Sequence, residues 1–166
     1  MRSATRADVE AIREIERLAD ERFRDLGLGF VADGEPTSYE VVAAAVDRGT
    51  AWVEVDGVGT PIAFATVDVL DGCAHLEQLS VIPAHGRRGV GTALVGAVEE
   101  WALCRGLGVV TLTTFADVPW NAPYYRRLGF EVVPETRWTP GVRERIAEET
   151  AFFDPWRRVV MAKALV

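Results

Sequence analysis

The 166-residue chain is poor in the residues that build metal centres, disulfide frameworks and membrane spans. It has two cysteines, Cys73 and Cys104, and two histidines, His75 and His85. Cysteines so few and so far apart make neither a zinc site nor a disulfide framework, and no metal-ligand spacing appears. Lysine occurs once, at Lys163, so no glycine loop here ends in the Gly-Lys-Ser/Thr of a Walker motif. No Gly-x-Ser-x-Gly run is present, which removes the nucleophile elbow of a serine hydrolase. Apolar runs stay below the roughly 18 residues of a membrane span, and the opening MRSATRADVE lacks a signal-peptide core. These absences predict a cytoplasmic protein with no metal and no membrane partner.

The residues that are present describe a globular chain. Hydrophobic residues make up 49% and charged residues 26%, which at this length predicts a single domain over residues 1–166. A formal net charge of −7 argues against nucleic acid as a partner, because a phosphate-binding face needs a basic stripe. The same charge suits a cationic substrate drawn to an acidic surface, and it equally suits plain solubility. The arginines are uneven: Arg87, Arg88, Arg126 and Arg127 fall in two short segments.

Hydrophobic periodicity predicts a helix from a Thr5 cap to about residue 23, a glycine-rich loop over 26–36 and a second helix over 38–48. Strands follow over 51–55, 61–70 and 74–82, joined by short turns as an antiparallel meander. A long helix then carries Val90, Leu94, Ala97, Val98 and Trp101 on one face and stops at Gly106-Leu-Gly108. A strand over 109–115, a short helix over 121–128, a strand over 130–133, a helix over 142–150 and a strand over 158–165 complete the chain. The expected class is α/β (α+β), a mixed central sheet of about six to seven strands flanked by helices.

The most informative segment is His75-Leu-Glu-Gln-Leu-Ser-Val-Ile-Pro-Ala-His-Gly-Arg-Arg-Gly-Val-Gly-Thr92. It reads as a strand, a loop with three glycines and two arginines, and a helix start. Such a loop offers free main-chain N–H groups and a helix N-terminus to an anion. Gly86, Gly89 and Gly91 allow close approach, and Arg87 and Arg88 add positive charge. A dinucleotide fingerprint is excluded, because Leu94 stands where the third glycine belongs and the next strand carries no acid before Asp117.

This segment resembles the pyrophosphate loop of the GNAT superfamily of N-acetyltransferases, written Arg/Gln-x-x-Gly-x-Gly/Ala after a strand and a Val-x-Pro turn. Val81-Ile-Pro83 matches the turn and Gly89-Val-Gly91 the closing glycines; Gly86 stands where the family usually has Arg or Gln. A second signature follows in Asn121-Ala-Pro-Tyr-Tyr-Arg-Arg-Leu-Gly-Phe130, with Tyr125 four residues before Gly129-Phe130. The resemblance covers roughly residues 51–133. It implies acetyl-CoA as cosubstrate and transfer of an acetyl group to a primary amine of a small molecule or peptide, by a monomer or homodimer. It also implies that Gly86, Arg87, Arg88, Gly89, Val90, Gly91 and Thr92 hold the cofactor phosphates. The main chain of Leu79, Ser80 and Val81 would pair with the pantetheine arm, Val81 N–H would polarise the thioester carbonyl, and Asn121 would contact the cofactor.

Amine acetylation needs a base for the ammonium proton, a donor for the oxyanion and an acid for the departing thiolate. Glu77, mid-strand on one face with His75, Leu79 and Val81, is the candidate base, or else a carboxylate bonded to a neighbouring hydroxyl or arginine. His75 is a weaker rival. Tyr125 is the candidate acid, since a phenol keeps its proton at neutral pH; the alternative is a packed helix tyrosine. Residues 26–36 and 138–156 would wall the acceptor groove, with Phe30, Trp120, Trp138, Phe152, Phe153 and Trp156 as lining or core. Thr113, Thr114 and Asp117 are polar candidates for acceptor contacts. An acyl-CoA-binding sensor and an O-acyltransferase are the alternatives on the same scaffold.

Overall fold

The computed structural model describes the backbone of residues 1–153 and 157–166, and the side chains of 1–150 and 157–166. In chain order the elements are β1 (Arg2–Ser3), α1 (Val9–Asp20), α2 (Gly29–Ala32), α3 (Tyr39–Asp47), β2 (Ala51–Val55), β3 (Pro61–Leu70) and β4 (Cys73–Val81). Then come α4 (Val90–Cys104), β5 (Val109–Phe115), α5 (Ala122–Arg127), β6 (Glu131–Val132), α6 (Pro140–Phe153) and β7 (Arg158–Ala164). The seven strands form one mixed sheet in the order β1-β2-β3-β4-β5-β7-β6. β4 and β5 run parallel, whereas the pairs β1–β2, β2–β3, β5–β7 and β6–β7 are antiparallel. The expected mixed α/β class is the observed one.

Two local expectations change. β1 was not foreseen, because two residues are too short to show periodicity; it exists by pairing Arg2 and Ser3 with Val53 and Trp52. The loop over 26–36 contains the single-turn helix α2, and α1 hands over to a 3-10 turn, Glu21–Leu26, rather than running on. No helix among the described residues is long and apolar enough to cross a membrane.

By main-chain proximity the chain divides into two compact units, residues 1–67 with 78–97 and residues 68–77 with 98–166. In the first, α1 turns Val9, Ile12, Ile15 and Ala19 inward at helical spacing, and α3 turns in Val42, Ala43 and Ala45. All of these except Ala19 pack in one cluster with Ala51 and Val53 of β2 and Phe64 of β3. Each large buried side chain contributes about 1.5–3 kcal/mol relative to exposure. The start is pinned by Asp8, whose carboxylate accepts from Thr5 N–H at 2.8 Å and from both Arg2 Nη atoms at 2.7 Å. Those bonds hold the Asp8 carboxyl far below the usual carboxylate range.

α1 also turns a carboxylate inward. Glu16, 7% exposed, accepts from Thr37 N–H and Thr37 Oγ1, each at 3.0 Å. One turn later Asp20 is half-buried; burial and, next, the Glu16 charge push its carboxyl up to about 7. An acid with a folded pKa above its unfolded value holds its proton more tightly in the folded state. Such a group therefore costs stability as pH rises from about 4 toward about 7.

In the second unit α6 packs Val142 and Ile146 against Val160 of β7, with Leu70, Val133 and Trp138 beside them. Trp138 Nε1 donates to Val133 O at 2.9 Å, so this tryptophan is tied to its neighbours by packing and by a hydrogen bond.

Asp20→Asn should stabilise the protein, and the gain in melting temperature should be larger at pH 8 than at pH 4. Equal gains at the two pH values would show that Asp20 titrates as an ordinary carboxyl.

Candidate active site

In the first unit, β4 ends in Leu79, Ser80 and Val81, with Ser80 buried and its neighbours half-buried. Pro83–His85 then forms a 3-10 turn closed by Gly86 N–H onto Pro83 O at 3.1 Å. A Cβ on Gly86 would stand 3.2 Å from Pro83 O, so this turn explains why a glycine occupies the position usually held by Arg or Gln. Arg87 and Gly89 both have left-handed backbone, with φ of 57° and 79°. Left-handed backbone in such a loop can turn main-chain N–H groups toward a bound anion. A Cβ on Gly89 would meet no protein atom within 4 Å, so that approach to the main chain is open.

The first helical bond of α4 runs from Ala93 N–H to Gly89 O at 2.9 Å. The N–H groups of Val90 and Gly91 therefore belong to the first turn, where no helical carbonyl is available to them. Arg87 and Arg88 are exposed, and neither has a salt bridge among the described residues. Main-chain donors, a helix N-terminus and two free guanidinium groups together fit a di- or polyphosphate.

In the second unit, β4 pairs with β5 through Ala74, His75 and Leu76 opposite Val110, Thr111 and Leu112. His75 is 1% exposed, and its Nδ1 lies 2.8 Å from Thr111 Oγ1. Burial, with the Arg145 charge second, pushes its pKa down to about 4, so the ring is neutral at physiological pH. Glu77 follows, one residue past that ladder. Its Oε2 accepts from Arg145 Nη1 of α6, while Oε1 is shielded from solvent and has no hydrogen-bond partner among the described residues. Burial raises the Glu77 pKa above the ordinary carboxylate value, and Arg145 opposes the rise.

α5 owes its place to its ends. Asn121 accepts Tyr124 N–H at 2.8 Å and Tyr125 N–H at 3.0 Å through its main-chain oxygen. The Asn121 side chain does not cap its own helix: Asn121 Nδ2 instead donates to Thr114 Oγ1 of β5 at 2.7 Å. At the other end Gly129 has φ of 90°, Gly129 N–H bonds Arg126 O, and Phe130 N–H bonds Tyr125 O, each at 3.1 Å. This pair of bonds is a Schellman stop, and such stops bring the residue after the glycine onto the last helical turn. Accordingly the Phe130 ring meets Tyr125 edge-on at 5.7 Å between centroids. The Tyr-x-x-x-Gly-Phe spacing is thus a device that fixes one tyrosine ring, which is 9% exposed. Tyr124 lacks that clamp and packs edge-on to Tyr125 at 5.3 Å.

A model of the acetyltransferase (GNAT) family matches residues 12–130. The chain belongs to the GNAT acetyltransferase family. Two curated relatives agree with that placement. A 41-residue segment is 49% identical to the acetyl transferase GW6a of Oryza sativa subsp. japonica, covering 25% of this chain and 10% of that protein. The chain thus spans about a tenth of the rice relative's length. Over 109 residues it is 29% identical to the aminoglycoside N(6')-acetyltransferase type 1 of Salmonella typhimurium, covering 61% of this chain and 71% of that one. Among solved structures, Rv2747 from Mycobacterium tuberculosis, in complex with CoA and NLQ, superposes with a TM-score of 0.71 at 21% identity. That match covers 99% of this chain and 98% of the other. The GNAT fold and the acyltransferase class are therefore as expected.

Several residues expected at the acceptor groove are occupied elsewhere. Thr113 Oγ1 donates to Glu149 Oε1 at 2.6 Å, Thr114 is buried against Asn121, and Asp117 pairs with Arg157 at 3.2 Å on the surface. Phe30 is exposed and Trp120 half-buried, whereas Phe152, Phe153 and Trp156 lie outside the described side chains. Arg145 went unnoticed in the sequence. A signal existed: Val142, Arg145, Ile146 and Glu149 fall at i, i+3, i+4 and i+7, which places two charged residues on a buried stripe.

Gly129→Ala should cost about 1–2 kcal/mol, because an L-residue is strained in left-handed backbone even where its Cβ has room. Gly96→Ala, inside α4 with open space at its Cβ, should instead add about 0.5–1 kcal/mol. Urea unfolding compares the two, and a shift of the same sign in both would contradict the assigned backbone.

Proposed function

We propose that the protein is an acetyl-CoA-dependent N-acetyltransferase that acts on a primary amine of a small molecule or peptide. The observation that carries the reading is the loop over 82–91. A strand end leads into left-handed backbone at Arg87 and Gly89, two unpaired guanidinium groups and the first turn of a 15-residue helix. CoA bound to the Mycobacterium tuberculosis protein and the amine-acetylating name of the Salmonella relative support the same direction.

Acetyl-CoA would supply the acetyl group as a thioester, already activated toward attack by nitrogen. Gly86, Arg87, Arg88, Gly89, Val90, Gly91 and Thr92 bind its phosphates through main-chain N–H groups and positive charge. Leu79, Ser80 and Val81 offer main-chain groups to the pantetheine arm, and Val81 N–H stabilises the oxyanion that develops on the carbonyl. Asn121 has an amide oxygen left over from its bond to Thr114 and presents it to the cofactor.

Glu77 takes the ammonium proton, directly or through water, and so frees the lone pair that forms the new C–N bond. Tyr125 gives its phenolic proton to the sulfur as the C–S bond breaks, and the resulting phenolate takes up the second proton that the nitrogen sheds on becoming an amide; Glu77 releases its proton to solvent before the next turnover. His75 is not the base in this reading, because its ring is committed to Thr111 and buried.

Isothermal calorimetry with CoA and dephospho-CoA tests the cofactor site. Binding of both is expected, and no heat at about millimolar ligand would end the proposal. Gly89→Val, in a variant shown to be folded, should raise the acetyl-CoA KM tenfold or more, a loss of about 1.4 kcal/mol. Thiol release with a panel of polyamines, aminoglycosides, amino acids, peptides and alcohols then separates amine transfer from alcohol transfer and from binding without turnover.

Tyr125→Phe should lower kcat at least tenfold, a floor set below the 10²–10⁴ or so typical of general-acid help, with acetyl-CoA affinity near normal. Tyr124→Phe is the control. Equal small losses at the two positions would reduce Tyr125 to a packing residue.

A further inference from the structure

α6 carries two charged side chains on the stripe that faces the sheet of its unit, and the contrast between their partners is informative. Glu149 is satisfied at both oxygens: Thr113 Oγ1 donates to Oε1 at 2.6 Å and Arg158 Nε donates to Oε2 at 2.8 Å. It is a structural anchor. One turn earlier Arg145 reaches β4 and donates from Nη1 to Glu77 Oε2. Glu77 is left half-satisfied, with Oε1 dry and without a partner among the described residues. Buried polar atoms are paired in the great majority of cases, so an oxygen kept dry and unpaired calls for a role.

We propose that Arg145 is the positioning residue of the base: its guanidinium holds Glu77 Oε2 and so fixes the aim and the proton affinity of the carboxylate that accepts the acceptor's proton. This rests on the reading of Glu77 as the base. A carboxylate gripped at one oxygen loses the freedom to rotate, and its second oxygen keeps a fixed aim. The packing of Val142 and Ile146 holds the helix that presents Arg145, and the Glu149 anchor secures it one turn further on. Arginine suits the task because it stays charged in poorly solvated surroundings, whereas a lysine there loses its proton readily.

The arrangement also sets the proton affinity of Glu77. Among the described residues, every charge that faces it belongs to the second unit. Asp68 of β3 and Glu149 of α6 favour the protonated form, and so does burial; Arg145 alone opposes them. Glu148 stands 4.0 Å from Arg145 Nε and is exposed, and His75 beside it on β4 is neutral. Without Arg145 the carboxyl would keep its proton to a higher pH and be unfit to take another near neutrality.

Three variants of the full chain, Arg145→Met, Arg145→Lys and Glu77→Gln, test this. Carbon NMR of the labelled Glu77 carboxyl in the free protein should show its titration rising by at least about one pH unit in Arg145→Met, with partial return in Arg145→Lys. The acidic limb of kcat/KM, measured with acetyl-CoA and the best acceptor from the panel, should move up equally, with acetyl-CoA KM unchanged. Arg145→Met added to Glu77→Gln should cost nothing further. If Glu77→Gln abolishes the limb but Arg145→Met leaves limb and titration in place, the positioning role is overturned and the base survives. If Glu77→Gln leaves the limb untouched, the base itself is wrong, and the positioning role falls with it whatever the carboxyl titration shows. Should Arg145→Met not fold, Arg145→Lys decides alone: unchanged titration and limb there overturn the proposal.

Discussion

Two strands that run side by side in the same direction cannot be joined by a tight turn, and β4 and β5 are such a pair. The chain has to leave β4 at Val81 and return to β5 at Val109 through a crossover, and α4 is that crossover. A helix placed there begins at Val90, after the loop that leaves β4, so its unsatisfied N–H groups and the positive end of its dipole face that loop. Residues 82–89 make the reversal in eight residues. Left-handed backbone at Arg87 and Gly89 is part of how they manage it. An arginine in that conformation is uncommon enough to point to a function for the loop. The features that lead us to propose the segment as an anion site thus follow from the topology of one strand pair.

The second unit answers a different constraint, the cost of keeping charge away from water. Removing one partner of a buried ion pair is strongly destabilising, by about 3–5 kcal/mol, so each charge on the inner stripe of α6 comes with a counter-charge. Arg145 meets Glu77, and Glu149 meets Arg158 and Thr113. The two pairs differ in completeness. Glu149 has no oxygen to spare, which suits a fixed structural link. Glu77 has one oxygen to spare, together with a proton affinity raised by burial and moderated by one guanidinium. The proposed proton transfer is placed at the incomplete pair. The Schellman stop after α5 plays the comparable part for Tyr125, fixing an aromatic ring through backbone bonds at Gly129 and Phe130.

The sequence by itself determined the family, the order of the elements apart from β1 and α2, and the glycine pattern of the loop over 82–91. These depend on local regularities: alternation over 51–55, 61–70 and 74–82, helical spacing in α1 and α4, and glycines where backbone must turn left-handed. The Asn121 to Phe130 signature was legible for the same reason, since cap, tyrosine, glycine and phenylalanine act within one short helix and its stop. What only the tertiary structure decided were partners distant in sequence. Glu77 meets Arg145 across 68 residues, His75 meets Thr111 across 36, and the Asn121 amide turns back to Thr114 instead of capping its own helix. The strand Arg2–Ser3 likewise exists only because β2 lies beside it. Period and propensity report which face of an element is buried. They do not report which charge on another element arrives there, and that choice determines whether a buried carboxylate has both oxygens bonded, as in Glu149, or only one, as in Glu77.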